Sequence, residues 1–350
     1  MAINYASQFA PKVMETFAHE SLTESASGQD FQFSGVKTVK VLTVDTVPLN
    51  DYNRSGTNRY GEPVELGDVT QELTMEDDKA FAITIDKGNN ADQMNLKGAA
   101  EAMKRQTAQV VVPYIDKYRL DKWAKGAGLV KGYSESQMKT GVLEAIFDAG
   151  AAMDNAGVPL TGRTLFLPNR FYKALALSDR LVGVDKLGET ALAKGIVGEV
   201  DGMTVKRVPD SYLPNGVFFL AKWKNASADP VKLQESKIHK DPPGLSGNLL
   251  EGRVYQDSFV IRTKAEGIYV AAVATMVPAE PVLSFNVGKM SIVCATPRAK
   301  LYYTLDGSDP RYSETAKVFS AEFNTPTGSL VRAVAQVEGG FFSTILTQQL

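Results

Sequence analysis

Val112-Pro-Tyr-Ile-Asp-Lys-Tyr-Arg-Leu-Asp-Lys-Trp-Ala124 is the stretch on which the reading of this chain turns. It closes the longest helical pattern in the sequence, Ala91 to Lys125. Met103, Val110, Tyr114 and Tyr118 fall on one face at helical spacing, with Val111 and Ile115 beside them. Pro113 lies inside the pattern. It lacks the N–H a helix needs and its ring crowds the preceding turn, so it predicts a kink or a split. Gly126-Ala-Gly128 ends the helix.

Upstream of the helix lie two alternating runs. Val69, Leu73 and Met75 alternate with Thr70, Glu72 and Thr74, and Phe81, Ile83 and Ile85 with Ala82, Thr84 and Asp86. Acidic Glu76-Asp77-Asp78 separates them. The two-residue period predicts a long β-hairpin over 69–86. A two-stranded ribbon is marginal alone in water, so it is expected to lean on a neighbouring copy of the chain. Leu73, Met75, Phe81 and Ile83 are therefore candidates for contact between subunits. Lys37 to Val47 reads as one more strand, and Asn50 to Asp68, rich in Asn, Gly, Arg and Pro, as a loop. Residues 1–32 read as an arm. Phe9, Val13 and Phe17 recur at a four-residue step beside Met14, the pattern of a short amphipathic helix. An arm has no core of its own, so these three residues are the other contact candidates. Ser21 to Asp30 is small and polar and is expected to be extended or mobile.

Downstream, helices are expected over 140–155, stopped by Gly157 and Pro159, and over 169–178. Arg163-Thr-Leu-Phe-Leu-Pro168 reads as a short buried strand between them. Residues 180–200 are Gly-rich and irregular. Strands follow at 203–208, 216–223, 231–238, 253–263 and 267–276. Helices and strands mix without regular βαβ alternation, so the class is α+β. Val277 to Pro281, with two prolines, looks like a linker. Beyond it, residues 289–350 show only short strands and turns, which predicts a small all-β sandwich. There Tyr303 and Leu305 alternate into the turn dipeptide Asp306-Gly307, and Pro310 bars continuation of the strand.

Composition narrows function mainly by exclusion. A chain of 350 residues allows two or three domains. Its formal net charge of −2 gives no field that would hold it on nucleic acid or an anionic membrane. Lys/Arg interleave with Asp/Glu rather than forming a basic stripe. The single cysteine, Cys294, rules out an internal disulfide. The first residues show no secretory leader pattern, and no run of apolar residues is long enough to span a membrane. His19 and His239 are the only histidines, and neither has partners at triad or metal spacing. Gly126-Ala-Gly-Leu-Val-Lys131 begins like a dinucleotide loop but lacks the third glycine and follows a helix. Asp306 and Asp309 are read as turn residues rather than metal ligands. No catalytic residue, cofactor or metal is expected, and the chain is not expected to be an enzyme.

Four segments, taken in order, resemble the major capsid proteins of tailed bacteriophages with the Hong Kong 97-type fold. Val112 to Ala124 is similar to the end of that family's spine helix. Gly162-Arg-Thr-Leu-Phe-Leu-Pro-Asn-Arg-Phe-Tyr-Lys-Ala-Leu175 resembles its strand, proline and helix in the axial domain. Gly198-Glu-Val-Asp-Gly-Met-Thr-Val-Lys-Arg-Val-Pro209 resembles a strand pair there. The run from Pro230 to Tyr269 is the fourth, above all Gly247-Asn-Leu-Leu-Glu-Gly-Arg-Val-Tyr-Gln-Asp-Ser-Phe-Val260. The resemblance implies an N-terminal arm at 1–32 and a peripheral domain at 33–132, with an extended loop at about 50–86 and a spine helix at about 92–125. It further implies an axial domain at 133–230 and a return to the peripheral domain at 231–281. Lys300-Leu-Tyr-Tyr-Thr-Leu-Asp-Gly-Ser-Asp-Pro-Arg-Tyr-Ser313, with Val331 to Gly340 and Ser343, resembles something else. It is similar to the chitobiase/β-hexosaminidase C-terminal module, an immunoglobulin-like sandwich, here at 289–350.

What the resemblance implies is a structural role. The chain would self-assemble through hexamers and pentamers into an icosahedral head around double-stranded DNA, touching the DNA only weakly. Its partners would be itself, a portal, and scaffolding or protease proteins. It would reside in the virion after assembly in the bacterial host cytoplasm. The C-terminal domain would sit on the outer surface, stabilising the lattice or touching host surface glycans. Two alternatives stay open: the shell of an encapsulin-type cellular compartment, and a carbohydrate-binding surface protein.

Overall fold

The computed structural model describes residues 20–28, 38–44, 51–55, 57–61, 63, 65, 68–92, 98–176, 198–286, 289–313, 315–324 and 329–349. The arm candidates Phe9, Val13 and Phe17 lie outside these residues, as does most of the irregular stretch 180–200.

β1 (Thr38–Val44) pairs antiparallel with β2 (Asp68–Thr74), with Thr38 opposite Thr74 and Val44 opposite Asp68. β3 (Asp77–Asp86) follows after Met75-Glu76 yet pairs with a distant strand, Gly247–Gln256. The hairpin expected over 69–86 is thereby corrected. Both runs are strands, but they belong to different sheets. A tight hairpin needs residues with positive φ at its turn, and none from Met75 to Asp78 has one. The ribbon of this region is β1–β2, joined through 45–67.

α1 (Lys87–Asp92) is a separate short helix, and the long helix begins only at Ala99, behind Gly98. α2 (Ala99–Gln106) runs through a widened, π-type turn at Thr107–Val111 into α3 (Val112–Lys125). Pro113, at the start of α3, cannot donate to the preceding turn, and the widened turn accommodates it without breaking the rod. The extra residue also rotates the buried face. Met103 is buried before it, and Ile115, Leu120 and Trp123 after it. Val110, expected on the buried stripe, is 51% exposed.

β4 (Leu129–Tyr133) follows, then α4 (Glu135–Thr140), which starts on a reciprocal Ser134–Gln137 capping box. Next come α5 (Val142–Asn155), β5 (Arg163–Pro168), α6 (Asn169–Ala176), β6 (Glu199–Val200), β7 (Met203–Val208) and β8 (Val217–Trp223). β9 (Ser227–Ala228), β10 (Val231–Lys240), β11 (Gly247–Gln256), β12 (Phe259–Val260) and β13 (Ile268–Val273) complete the body. A six-stranded mixed sheet, ordered β4-β13-β8-β5-β7-β6, forms its centre. Every residue of β5 is buried, because both faces are covered. Leu165 and Leu167 pack with Ile146, Met153 and Phe171 of α5 and α6. Phe166 points the other way, to Leu120 and Trp123 of α3, with the two rings 5.7 Å apart.

The segment 231–281 does two things rather than one. β10 and β11 build a three-stranded outer sheet, ordered β10-β11-β3, whose inner face meets α2 through Ile85, Leu250 and Met103. β13 then rejoins the central sheet, parallel to β4 and antiparallel to β8. A single return to the outer region, as expected from sequence, omits this last crossing.

The C-terminal domain begins with β14 (Val282–Asn286), earlier than the expected boundary at 289, because β14 pairs along its length with β15 (Lys289–Val293). β16 (Lys300–Thr304), β17 (Lys317–Val318), β18 (Phe323–Asn324), β19 (Leu330–Gln336) and β20 (Leu346–Gln349) follow. They form sheets β14-β15-β18 and β17-β16-β19-β20. Ile292, Tyr303 and Ala333 lie between them, and Tyr303 stacks on Phe323 at 4.3 Å.

Candidate assembly surfaces

The buried polar groups of the body serve to hold chain segments together. Residues Glu20–Gly28 lie as a strap across α3. The Asp116 carboxylate accepts from Ser21 Oγ (2.9 Å), Leu22 N (2.9 Å), Thr23 N (3.2 Å) and Thr23 Oγ1 (2.6 Å). Asp229 accepts from Ser27 Oγ (2.9 Å), Gly28 N (3.3 Å), Ser227 Oγ (2.5 Å), Ser258 Oγ (2.5 Å) and Trp123 Nε1 (2.9 Å). Two lysines hold the strap's carbonyls: Lys206 Nζ donates to Leu22 O at 2.7 Å, and the buried Lys222 Nζ to Ala26 O at 2.6 Å. Gly28 is required by the close approach, since a Cβ there would lie 2.0 Å from the Ser227 carbonyl oxygen. The stretch read from sequence as extended or mobile is thus anchored over 21–28, with Thr23, Ala26 and Ser27 all buried.

Lys222 sits over the Trp123 ring, 4.4 Å from its centroid. Burial pushes its pKa down to about 8, opposed by the Asp229 charge and assisted by Arg119 and Lys224. A second knot fixes the junction between β2 and β3. Tyr114 Oη donates to Asp77 at 2.6 Å and Tyr118 Oη to Asp257 at 2.8 Å, while Glu76 N donates to Asp257 at 2.8 Å. Burial, then the carboxylate partner, raises both phenols above their ordinary value.

This anchoring changes the standing of the contact candidates. Leu73 (1% exposed) and Met75 (0%) are buried inside the chain, against Val41, Ala228, Tyr255 and Phe259. Phe81 and Ile83 are half-buried beside Ile85, Met103 and Leu250. All four find apolar partners within their own subunit, so the reason for assigning them to a neighbour does not hold. The structure instead leaves open two tyrosines in the β1–β2 connection. Tyr60 is 84% exposed and Tyr52 half exposed, with their rings edge to face at 5.0 Å. Asn53 N donates to Arg59 O at 2.9 Å, closing the loop beneath them. The sequence signal was present, two tyrosines flanking Asn53-Arg-Ser-Gly-Thr-Asn-Arg59, but loop composition alone did not single them out.

The outer sheet presents a charged face. Arg253 forks onto Asp78 (2.9 and 2.5 Å), His239 lies 3.2 Å from Glu251, and Lys237 3.0 Å from Glu235. Arg253 holds the Asp78 carboxyl below its ordinary range through that hydrogen bond. His239 is thus an exposed side chain hydrogen-bonded to Glu251 on the surface; His19 lies outside the described residues. In the C-terminal domain both turn carboxylates are engaged by protein donors. Asp306 accepts from Ser308 N (3.0 Å) and Thr315 Oγ1 (2.7 Å), and Asp309 holds Arg311 at 2.6 Å. Among the described residues no group of His, Cys, Asp and Glu is placed to hold a metal ion, and no helix is long and apolar enough to cross a membrane.

These features hold segments of one chain together and leave aromatic and charged surface exposed. No curated protein matches the chain by sequence. Residues 290–350 match the family model "Fn3 associated". The chain is similar to a structure from Mycobacterium phage Che8, at 18% identity and TM-score 0.61, covering 77% of this chain and 98% of that one. It is similar to the capsid of Cyanophage P-SCSP1u, at 16% identity and TM-score 0.62, covering 77% and 93%. It is also similar to the mature capsid of bacteriophage PhiM1, at 12% identity and TM-score 0.60, covering 77% and 92%. The body therefore has the Hong Kong 97-type capsid fold of tailed bacteriophages, and an immunoglobulin-like, Fn3-associated domain follows it.

Proposed function

We propose that this chain is a non-enzymatic shell subunit that assembles with copies of itself into an icosahedral phage head enclosing double-stranded DNA. The observation that supports this most is the extent of the fold match. The matched part of the chain spans over nine-tenths of each of the three phage chains named above, two of them from capsids, so the likeness covers a whole chain. The β1–β2 connection, with Tyr52 and Tyr60 exposed, supplies a contact for a neighbouring subunit. Aromatic residues that are exposed in the free protein are common anchors at interfaces. A near-neutral charge suits a container that must later release its DNA. Portal and scaffolding or protease proteins are the further partners of such a shell, and assembly takes place in the host cytoplasm. The C-terminal domain lies on the outer surface and stabilises the subunit; glycan contact is a lesser role, since its two turn carboxylates already serve the protein.

Electron microscopy of the purified full-length chain, followed by nuclease treatment and DNA recovery from phage lysates, tests this. Closed particles with nuclease-resistant DNA are expected. A protein that stays monomeric at high concentration would overturn the shell reading. Closed particles carrying a protein cargo and no DNA would replace the phage head with a cellular compartment.

A further inference from the structure

Three chain crossings connect α3 and the outer sheet to the central sheet. They are Gly126–Gly128 between α3 and β4, residues 224–230 between β8 and β10, and Ile261–Gly267 between β12 and β13. The first and third touch directly. Gly128 N donates to Ala265 O at 2.8 Å, and a Cβ on Gly128 would lie 2.4 Å from the Ala265 carbonyl carbon. This contact joins two of the three crossings between the central sheet and the outer half of the body.

The Asp309–Tyr312 turn of the C-terminal domain closes over that point. Arg311 is almost wholly buried, its Nε and Nη2 forked onto Asp309 (3.0 and 2.6 Å), and its Nη1 donates to Gly128 O at 2.5 Å. Tyr312 Oη donates to Gly126 O at 3.2 Å. Arg262, from the third crossing, donates through Nη1 to Tyr312 O at 3.1 Å. Away from the turn, Phe341 N donates to Met276 O at 2.9 Å, and the Phe341 ring joins the apolar cluster of α3 and the central sheet. The turn thus caps carbonyls left open where α3 ends and ties them to the third crossing.

We infer that the C-terminal domain is a hinge lock. Its Asp309–Tyr312 turn bolts the first and third crossings together and fixes the angle between the central sheet and the outer half of the subunit. Arg311 is the bolt. Asp309 is a positioning residue that aims the guanidinium, because a two-point fork leaves Nη1 only one direction. The domain is then a working part of the body rather than a free appendage. The lock is a property of the single chain and stands whether or not the chain builds a shell.

Hydrogen exchange on the full-length protein tests it. In Arg311→Ala, the Gly128 amide and the amides of 262–268 are expected to exchange about ten- to a hundredfold faster, as for loss of one or two charge-assisted hydrogen bonds. The amides of β16 and β19 are expected to keep their protection. Arg311→Lys, which keeps the charge and loses the fork, is expected to behave like the alanine variant. Unchanged exchange at Gly128 and 262–268, with β16 and β19 still protected, would overturn the lock. If Arg311→Ala unfolds the domain, Tyr312→Phe decides. It removes one hydroxyl, and faster exchange at 126–128 is expected, while no change would overturn the inference. Particle formation is scored separately, so failure of the shell reading leaves this result intact.

Discussion

The central sheet and the outer ribbon-and-sheet region are built from similar strands but end in opposite conditions. The central sheet is covered on both faces, by α5 and α6 on one side and α3 on the other, and β5 and most of β8 are buried. The outer sheet meets α2 on one face and shows charges on the other, and every described side chain of β10 is exposed. The first region encloses its own apolar clusters on both faces. The second is held in place by the first, through a few carboxylates and tyrosines, and keeps surface free for other molecules. Mutations in the centre should therefore read out as lost folding, and mutations at the outer tip as lost association.

Trp123→Ala is expected to have the largest effect. The indole is fully buried, packs on Phe166, lies under Lys222 and donates to Asp229. Its truncation should cost about 3–5 kcal/mol in lost burial and cavity together, with Asp229 left short of a donor in addition. Urea unfolding measures this; a loss under about 1 kcal/mol would mean that the sheet and α3 are not one core.

Asp116→Ala comes next. It leaves two strap amides and two hydroxyls facing an empty site, at a cost of about 2–4 kcal/mol. Most of that cost should appear as local release of the strap. Limited proteolysis should then cut within 20–28 while the central sheet stays intact. Cleavage there at the wild-type rate would show that the strap does not depend on Asp116.

Lys222 gives a pH signature of the same joint. Its pKa is about 8 in the folded chain against 10.5 ordinarily. Between those values the unfolded chain binds more protons than the folded one, so raising the pH favours folding. The cost of burying the charged amine is complete below pH 8 and is relieved towards pH 10.5. The stability of the wild type relative to Lys222→Met should thus rise across that window, by up to about 3 kcal/mol. A flat difference would mean that the amine is solvated and not held by the strap.

These joints also mark the limit of what sequence discloses. Periodicity is local, so β5, α5 and the all-β character of the C-terminal domain were legible from runs such as Arg163–Pro168. Pairing is not local. β2 and β3 alternate equally well, and only the partners β1 and β11 decide that they part at Met75-Glu76. Asp116 and Asp229 look like ordinary surface carboxylates in the sequence, because their strap donors lie some 93 to 202 residues away. Leu73 and Met75 were misplaced for the same reason: the apolar pattern showed that they must be buried, but not against what.

The smallest effect on stability should come from the tip, where the comparison is sharpest. Tyr60 is 84% exposed and its one ring contact among the described residues is Tyr52. Tyr60→Ala should change the unfolding free energy by no more than about 0.5 kcal/mol, as for most surface substitutions. An exposed aromatic that contributes nothing to its own fold is free to contribute to a neighbour's. Truncating an aromatic hot spot at an interface costs about 2 kcal/mol or more, and a closed lattice repeats each contact many times. Sedimentation of Tyr60→Ala and Tyr52→Ala/Tyr60→Ala should therefore show a folded subunit whose particle yield falls sharply, more so for the double variant. Full particle yield from the double variant would move the contact elsewhere, to the charged face of the outer sheet. Loss of folding instead would mean that the outer region is not, after all, the dependent half.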